Sequence, residues 1–250
     1  MISRLCRTRI APRFDRMFSA PACGGSVLRV CAERRSREAP EARSGIRGRD
    51  EGGLNVNEVE LGGERSFIGA WYLPDLKICD ELIAYFRQSR DKLPGQIGHH
   101  HAVKPEIKDS IDLYIEPREF SQPTVQKYLY NLLAVANRYM DKYHASRDVG
   151  PWGVTENVNV QYYRPGGGYK QWHCERFGTS APAVNRHLVF MTYLNDVFDA
   201  GGTEFFYQKI STTPRKGLTL IWPTDWTHLH RGIVSPTEEK YIITGWFDFL

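Results

Sequence analysis

Two periodicities mark this chain. Two stretches between residues 75 and 143 carry apolar positions at helical spacing, and after Gly150-Pro151 the spacing is mainly two. Ile78, Leu82, Ile83 and Phe86 predict a helix capped by Asp75 and running through Arg87. Val125, Tyr128, Leu129, Leu132, Leu133, Ala136 and Tyr139 predict a longer helix over residues 122–143, with Ser121 as N-cap and Pro123 in its first turn. Residues 66–72 and 110–115 read as strands, and residues 95–101, with His99, His100 and His101 in a row, read as a solvated loop. Downstream, residues 157–163, 187–194, 203–207, 218–222 and 240–249 are β-prone and separated by turn residues. This pattern predicts a mainly β, α+β fold: a sandwich or jelly roll with the two helices packed on one outer face.

Composition changes the picture at one end. Residues 1–53 hold 12 arginines, no lysine and six acids, without a hydrophobic period. We therefore expect residues 1–54 to be a disordered, Arg-rich leader, either transit-like or upstream of a later start such as Met17, and residues 55–250 to be the folded domain. The rest of the chain carries 21 basic and 23 acidic residues, which gives nucleic acid no electrostatic footprint there. No apolar run is long enough to span a membrane. The five cysteines (Cys6, Cys23, Cys31, Cys79, Cys174) do not make a disulfide framework, so a reducing compartment is expected, the cytoplasm or, with a transit leader, an organelle.

The candidate chemistry sits in residues 158–175, VNVQYYRPGGGYKQWHCE. His173-x-Glu175 places an imidazole and a carboxylate on one side of an extended chain, two thirds of the 2-His-1-carboxylate set that holds non-haem Fe(II). His228 and His230 share a parity, and either would supply the missing imidazole. Period two also puts Asn159, Gln161 and Tyr163 on one face of their strand. On the last strand it puts Lys240, Ile242, Thr244 and Trp246 on one face. A buried lysine opening an apolar strand needs an anionic partner, which a dicarboxylate would provide.

The order Tyr163, Gly166-Gly167-Gly168, Tyr169, His173-Cys174-Glu175, Gly201-Gly202-Thr203-Glu204, Lys216-Gly217, His230 and Lys240 resembles the Fe(II)- and 2-oxoglutarate-dependent dioxygenases, within them the prolyl 4-hydroxylase-like branch. The resemblance covers residues 155–248 and departs in three places. Glu175 stands where Asp is commoner, the gap from Tyr163 to His173 is one residue longer, and Gly-Gly-Thr-Glu reorders the usual Gly-Gly-Glu-Thr. It implies a double-stranded β-helix, a cupin-like jelly roll, with His173, Glu175 and His230 on iron. It further implies Lys240, Tyr163 and Thr203 on 2-oxoglutarate, O2 as second cosubstrate, and ascorbate as a candidate reductant. The implied reaction hydroxylates an unactivated C–H, of peptidyl proline or another amino acid, with release of succinate and CO2.

Other residues have plainer readings. Asn159 and Gln161 are candidates to support the ligands, Tyr169 and Trp172 to touch substrate, and Trp246 to join either group. Arg176 would meet a substrate carboxylate or form a surface ion pair. His187 reads as hydrogen-bonded structure, Cys174 as buried, and Trp222 and Trp226 as core. Three competitors remain: a small-molecule hydroxylase of the same fold, a non-enzymatic cupin-like binding module, and a zinc hydrolase. Lys240 speaks against the second, because a binding module has no need of a buried cation ten residues past the distal histidine. Oxygen-dependent succinate formation would separate the third. The oligomeric state has no sequence signal.

Overall fold

The structure, a computed structural model, describes the backbone of residues 28–30, then residues 56–98 and 101–250. The expected leader thus lies outside the described residues except for Leu28–Val30, as do His99 and His100 of the expected loop. Leu28–Val30 is a strand (β1) paired antiparallel with Trp152–Val154 (β4), an association its composition does not announce.

The main sheet is antiparallel throughout. Its order is β2 (Gly69–Tyr72), β8 (Leu218–Pro223), β6 (Arg186–Tyr193), β10 (Lys240–Phe249), β5 (Val158–Tyr163) and β3 (Ile111–Ile115), with Leu93–Pro94 at the edge. β4 pairs with the end of β10. A smaller sheet holds Ile210–Ser211, β7 (Thr203–Phe205) and β9 (His230–Gly232). A backbone bridge from His230 to His173 widens it, and Gly168–Tyr169 pairs with Lys108–Asp109 nearby. Two facing antiparallel sheets joined in this way are the double-stranded β-helix.

Alternation builds two cores, one on each side of the main sheet. Leu188 and Phe190 of β6, Tyr241, Ile243 and Phe247 of β10, and Val158 and Val160 of β5 face α1 (Lys77–Gln88) and α2 (Pro123–Lys142). Both helices cover this one face with Ile78, Leu82, Phe86, Tyr128, Leu132 and Ala136, each burial contributing about 1.5–3 kcal/mol for a large side chain. The alternate residues Val189, Met191 and Tyr193 of β6 and Ile242 of β10 turn inward, packing with Leu220, Trp222 and Phe205.

Element ends differ from the expected ones for local reasons. Asp75 lies just outside its helix and accepts the Lys77 N–H at 3.0 Å. Ser121 caps nothing; the longer helix starts at Pro123, whose missing N–H removes one of the groups a cap would serve. The first strand begins at Gly69 rather than Ser66, because Glu64–Ser66 is a 3-10 turn and Phe67 takes a left-handed φ of 55°. Residues 95–101 are not all loop: Gln96–Ile97 pairs with Ala102–Val103. Among the described residues no helix is long and apolar enough to cross a membrane.

Candidate active site

Between the two sheets lies a cavity of about 1250 Å³. Of the residues that the sequence nominated for metal, cosubstrate or substrate, all but His228 line it: His173, Glu175, His230, Lys240, Tyr163, Thr203, Asn159, Gln161, Tyr169, Trp172, Trp246 and Arg176.

Ligand atoms of His173, Glu175 and His230 lie within 4.8 Å of one another. The two imidazoles are set up alike. His173 Nδ1–H donates to the Gln171 carbonyl and His230 Nδ1–H to the His228 carbonyl, each at 2.9 Å. A carbonyl only accepts, so each ring carries its proton on Nδ1 and turns Nε2 to the site. Glu175 Oε1 sits 3.5 Å from His173 Nε2 and 3.4 Å from His230 Nε2. Burial raises the Glu175 carboxyl pKa, but the two histidines lower it further, leaving it well below the usual carboxylate range. Burial and the neighbouring His173 lower that of His230. Two nitrogens and one carboxylate oxygen converging here are a donor set that fits Fe(II).

His228 is not part of this set. Trp226–His228 is a 3-10 turn, so the parity shared with His230 is broken. Its Nε2–H donates to the Ser66 carbonyl and its Nδ1 accepts from the Thr227 hydroxyl, both at 3.0 Å.

The inward face of β10 continues the cavity away from the triad. Lys240 Nζ donates to the Gly201 carbonyl at 2.6 Å and reaches the Ile233 carbonyl at 3.5 Å. Among the described residues it has no carboxylate partner, and burial pushes its pKa down to about 8. The Gly201-Gly202 turn makes this contact possible. Gly201 has φ +75°, and a Cβ on Gly202 would sit 1.8 Å from the Thr212 carbonyl oxygen. Tyr163, opposite Lys240 in register, places its ring 5.0 Å from the ammonium, while its hydroxyl donates to Gln161 Oε1 at 2.5 Å. Thr203 shares a hydroxyl network with Tyr193 (2.8 Å), which also meets Thr212 (2.7 Å).

Several residues in or behind the cavity wall escaped the sequence. Asp112, fully buried, accepts from Lys108 Nζ at 2.6 Å, Ser110 at 2.7 Å, Asn159 at 3.1 Å and Tyr114 at 3.2 Å. The signal was available: Asp112 and Tyr114 stand opposite Gln161 and Asn159, so the parity that selected those two selects these. Arg186, bidentate to Glu156 at 2.6 and 2.7 Å and stacked 3.5 Å over the Trp246 ring, had no such signal. Arg176 pairs with Asp225 at 3.3 Å, the plainer of its two readings. Cys174 is half-buried, its thiol directed to the Arg176 carbonyl rather than to the ligands. Two readings need correction. Trp226 is 64% exposed at the cavity mouth, not core, because it opens the 3-10 turn. His187 packs its ring against Trp152 and Phe249 with Nε2 unpartnered, and burial lowers its pKa to about 4.

The sequence profile of the 2OG-Fe(II) oxygenase superfamily matches residues 158–248, the span from β5 to the end of β10. Residues 158–248 form a 2OG-Fe(II) oxygenase domain. The protein is thus a 2-oxoglutarate-dependent dioxygenase, with Fe(II), 2-oxoglutarate and O2 as its cofactor set. Solved prolyl hydroxylases share this oxygenase's fold. A Pseudomonas putida prolyl-4-hydroxylase is 16% identical (TM-score 0.55), covering 73% of this chain and 92% of its own. A viral collagen prolyl hydroxylase from Paramecium Bursaria Chlorella virus-1, solved with 2-oxoglutarate, is 18% identical (TM-score 0.54; 74% and 97%). A Trichoplax adhaerens prolyl hydroxylase, solved with a hypoxia inducible factor peptide, is 14% identical (TM-score 0.54; 69% and 77%). No curated protein sequence matches the oxygenase.

Proposed function

We propose that His173, Glu175 and His230 hold the iron of this oxygenase, that Lys240 holds the far carboxylate of 2-oxoglutarate, and that the enzyme hydroxylates a C–H on an uncharged group such as a peptidyl residue. One observation carries the reading: a buried ammonium that has no acid partner among the described residues opens into the cavity lined by the three candidate ligands. The iron, when bound, supplies the oxidative decarboxylation and C–H oxidation.

The protein's own part is placement. The Gln171 and His228 carbonyls fix the ring tautomers, and Tyr163 and Thr203 flank the end where Lys240 waits. The substrate side of the cavity is electrically neutral by pairs. Lys108 meets Asp112, Arg186 meets Glu156, and Arg176 meets Asp225. A free amino acid would bring an ammonium and a carboxylate to a wall whose charges are already matched, at the desolvation cost of both. An amide-flanked residue brings neither, and the exposed aromatics Phe177 and Trp226 at the mouth suit a longer chain.

The test is succinate release with Fe(II) and ascorbate across matched substrates: proline-containing peptides, single residues blocked as N-acetyl amides, the free amino acids, and neutral small molecules. Stimulation by blocked or peptidyl residues with none by the free forms is expected. Stimulation by free amino acids above the peptides overturns the substrate class, and stimulation by neutral small molecules alone makes this a small-molecule hydroxylase.

A further inference from the structure

Glu175 offers its two oxygens to different partners. Oε1 faces His173 and His230, while Oε2 accepts the Trp246 indole N–H at 3.1 Å. Trp246 is itself clamped. The Arg186 guanidinium lies 3.5 Å from its ring centroid, held in place by Glu156 and by donation to the Glu175 backbone carbonyl at 2.9 Å. The same guanidinium passes 3.8 Å from Oε2. A glutamate has three side-chain torsions, and its carboxylate can swing or chelate through both oxygens unless something holds one of them.

Resting on the reading of Glu175 as an iron ligand, we infer that Trp246 is the positioning residue for that carboxylate. The indole N–H ties up Oε2, so Glu175 enters the metal site through Oε1 alone and leaves coordination positions open. The length of glutamate is matched to this anchor. Its extra methylene lets one oxygen meet the imidazoles while the other stays on the indole. An aspartate at 175 would satisfy one of these contacts but not both. Arg186 acts one step further out, as the plate that fixes the ring.

The experiment is a double-mutant cycle read by Mn(II) affinity, with far-UV circular dichroism as the fold control. Wild type, Trp246→Phe, Glu175→Asp and the double variant are compared. Trp246→Phe is expected to bind Mn(II) roughly 10–100-fold more weakly, the range that outer-shell partners of a ligand command. Glu175→Asp is expected to weaken binding as well. Adding Trp246→Phe to Glu175→Asp should cost nothing further, because the shorter carboxylate has already left the indole. A purely structural role for the ring would instead give the same loss in both backgrounds, which overturns the inference, as does unchanged affinity in Trp246→Phe. Should Trp246→Phe not fold, Glu175→Asp alone decides, since wild-type affinity there removes any match of length to anchor. Absence of Mn(II) binding by the wild-type protein would overturn the ligand reading itself, and His173→Ala separates that case.

Discussion

The backbones of His173 and His230 exchange both hydrogen bonds of an antiparallel bridge, at 3.0 and 2.9 Å. Two residues far apart in sequence are thereby held as a cross-strand pair, so the ring positions are set by the sheet before any metal arrives. On the proposed ligand set, the metal site is part of the fold's register, and metal should stabilise the fold by mass action. At Mn(II) one hundred times its dissociation constant the gain is about 2.7 kcal/mol. His230→Ala should abolish both this gain and succinate release, with the metal-free melting temperature little changed. A variant that keeps the metal-induced rise in Tm would remove His230 from the site.

Lys240 gives a pH prediction. Its pKa falls from 10.5 to about 8 in the folded protein through burial. Between those values the unfolded chain binds more protons, so cosubstrate-free stability rises with pH over the window from about 8 to 10.5. The full penalty, on the order of a few kcal/mol, is present below pH 8. The proposed 2-oxoglutarate contact reverses the sign, because a far carboxylate at Lys240 favours the ammonium. The affinity for 2-oxoglutarate should therefore fall by up to roughly tenfold per pH unit above 8. Titration calorimetry with Mn(II)-loaded protein measures this. Lys240→Met should flatten both pH dependences and weaken 2-oxoglutarate by a factor on the order of 30 or more, while Mn(II) still binds. Equal pH profiles in the two proteins would place the cosubstrate's carboxylate elsewhere.

Much of this was legible because period two is a geometric signal. Asn159, Gln161, Tyr163, Lys240, Ile242, Thr244 and Trp246 share the inner face as their spacing requires, since alternation follows from the extended backbone wherever no bulge interrupts it. The same rule failed at His228, where a 3-10 turn resets the parity two residues before His230. What stayed hidden depends on contacts between remote segments: Arg186 with Glu156, the indole on Glu175, and the four donors on Asp112. Composition and spacing carry no information on which ionised groups meet. Element ends were missed where backbone geometry, the φ of Phe67 before a strand or Pro123 opening the longer helix, outweighed the side-chain signals.

The helical layer should be separable from the chemistry. Leu132 of α2 is fully buried against the outer face of the main sheet, on the side away from the cavity. Leu132→Ala should cost about 2–5 kcal/mol of stability. At a temperature where the variant is still folded, its 2-oxoglutarate affinity and succinate release should match the wild type. A lowered affinity in the folded variant would show that α2 helps to shape the cavity through the sheet.

The Lys108–Asp112 pair makes the sharper stability prediction. Both side chains are buried, at 4% and 0% exposure, and the ammonium also lies 5.8 Å from the centre of the Tyr169 ring, which stacks on His173 at 3.8 Å. Asp112→Ala strands that ammonium and leaves Ser110, Tyr114 and Asn159 without their acceptor. Removing one partner of such a pair should cost about 3–5 kcal/mol. Lys108→Met alone leaves the carboxylate with three neutral donors, so it should cost less. The double replacement Lys108→Met with Asp112→Ala should cost less than the sum of the single changes, because neither charge is left behind. Denaturant unfolding at pH 7 gives all four values. Additive losses would mean that the two charges do not interact, and that Asp112 matters only through its neutral donors.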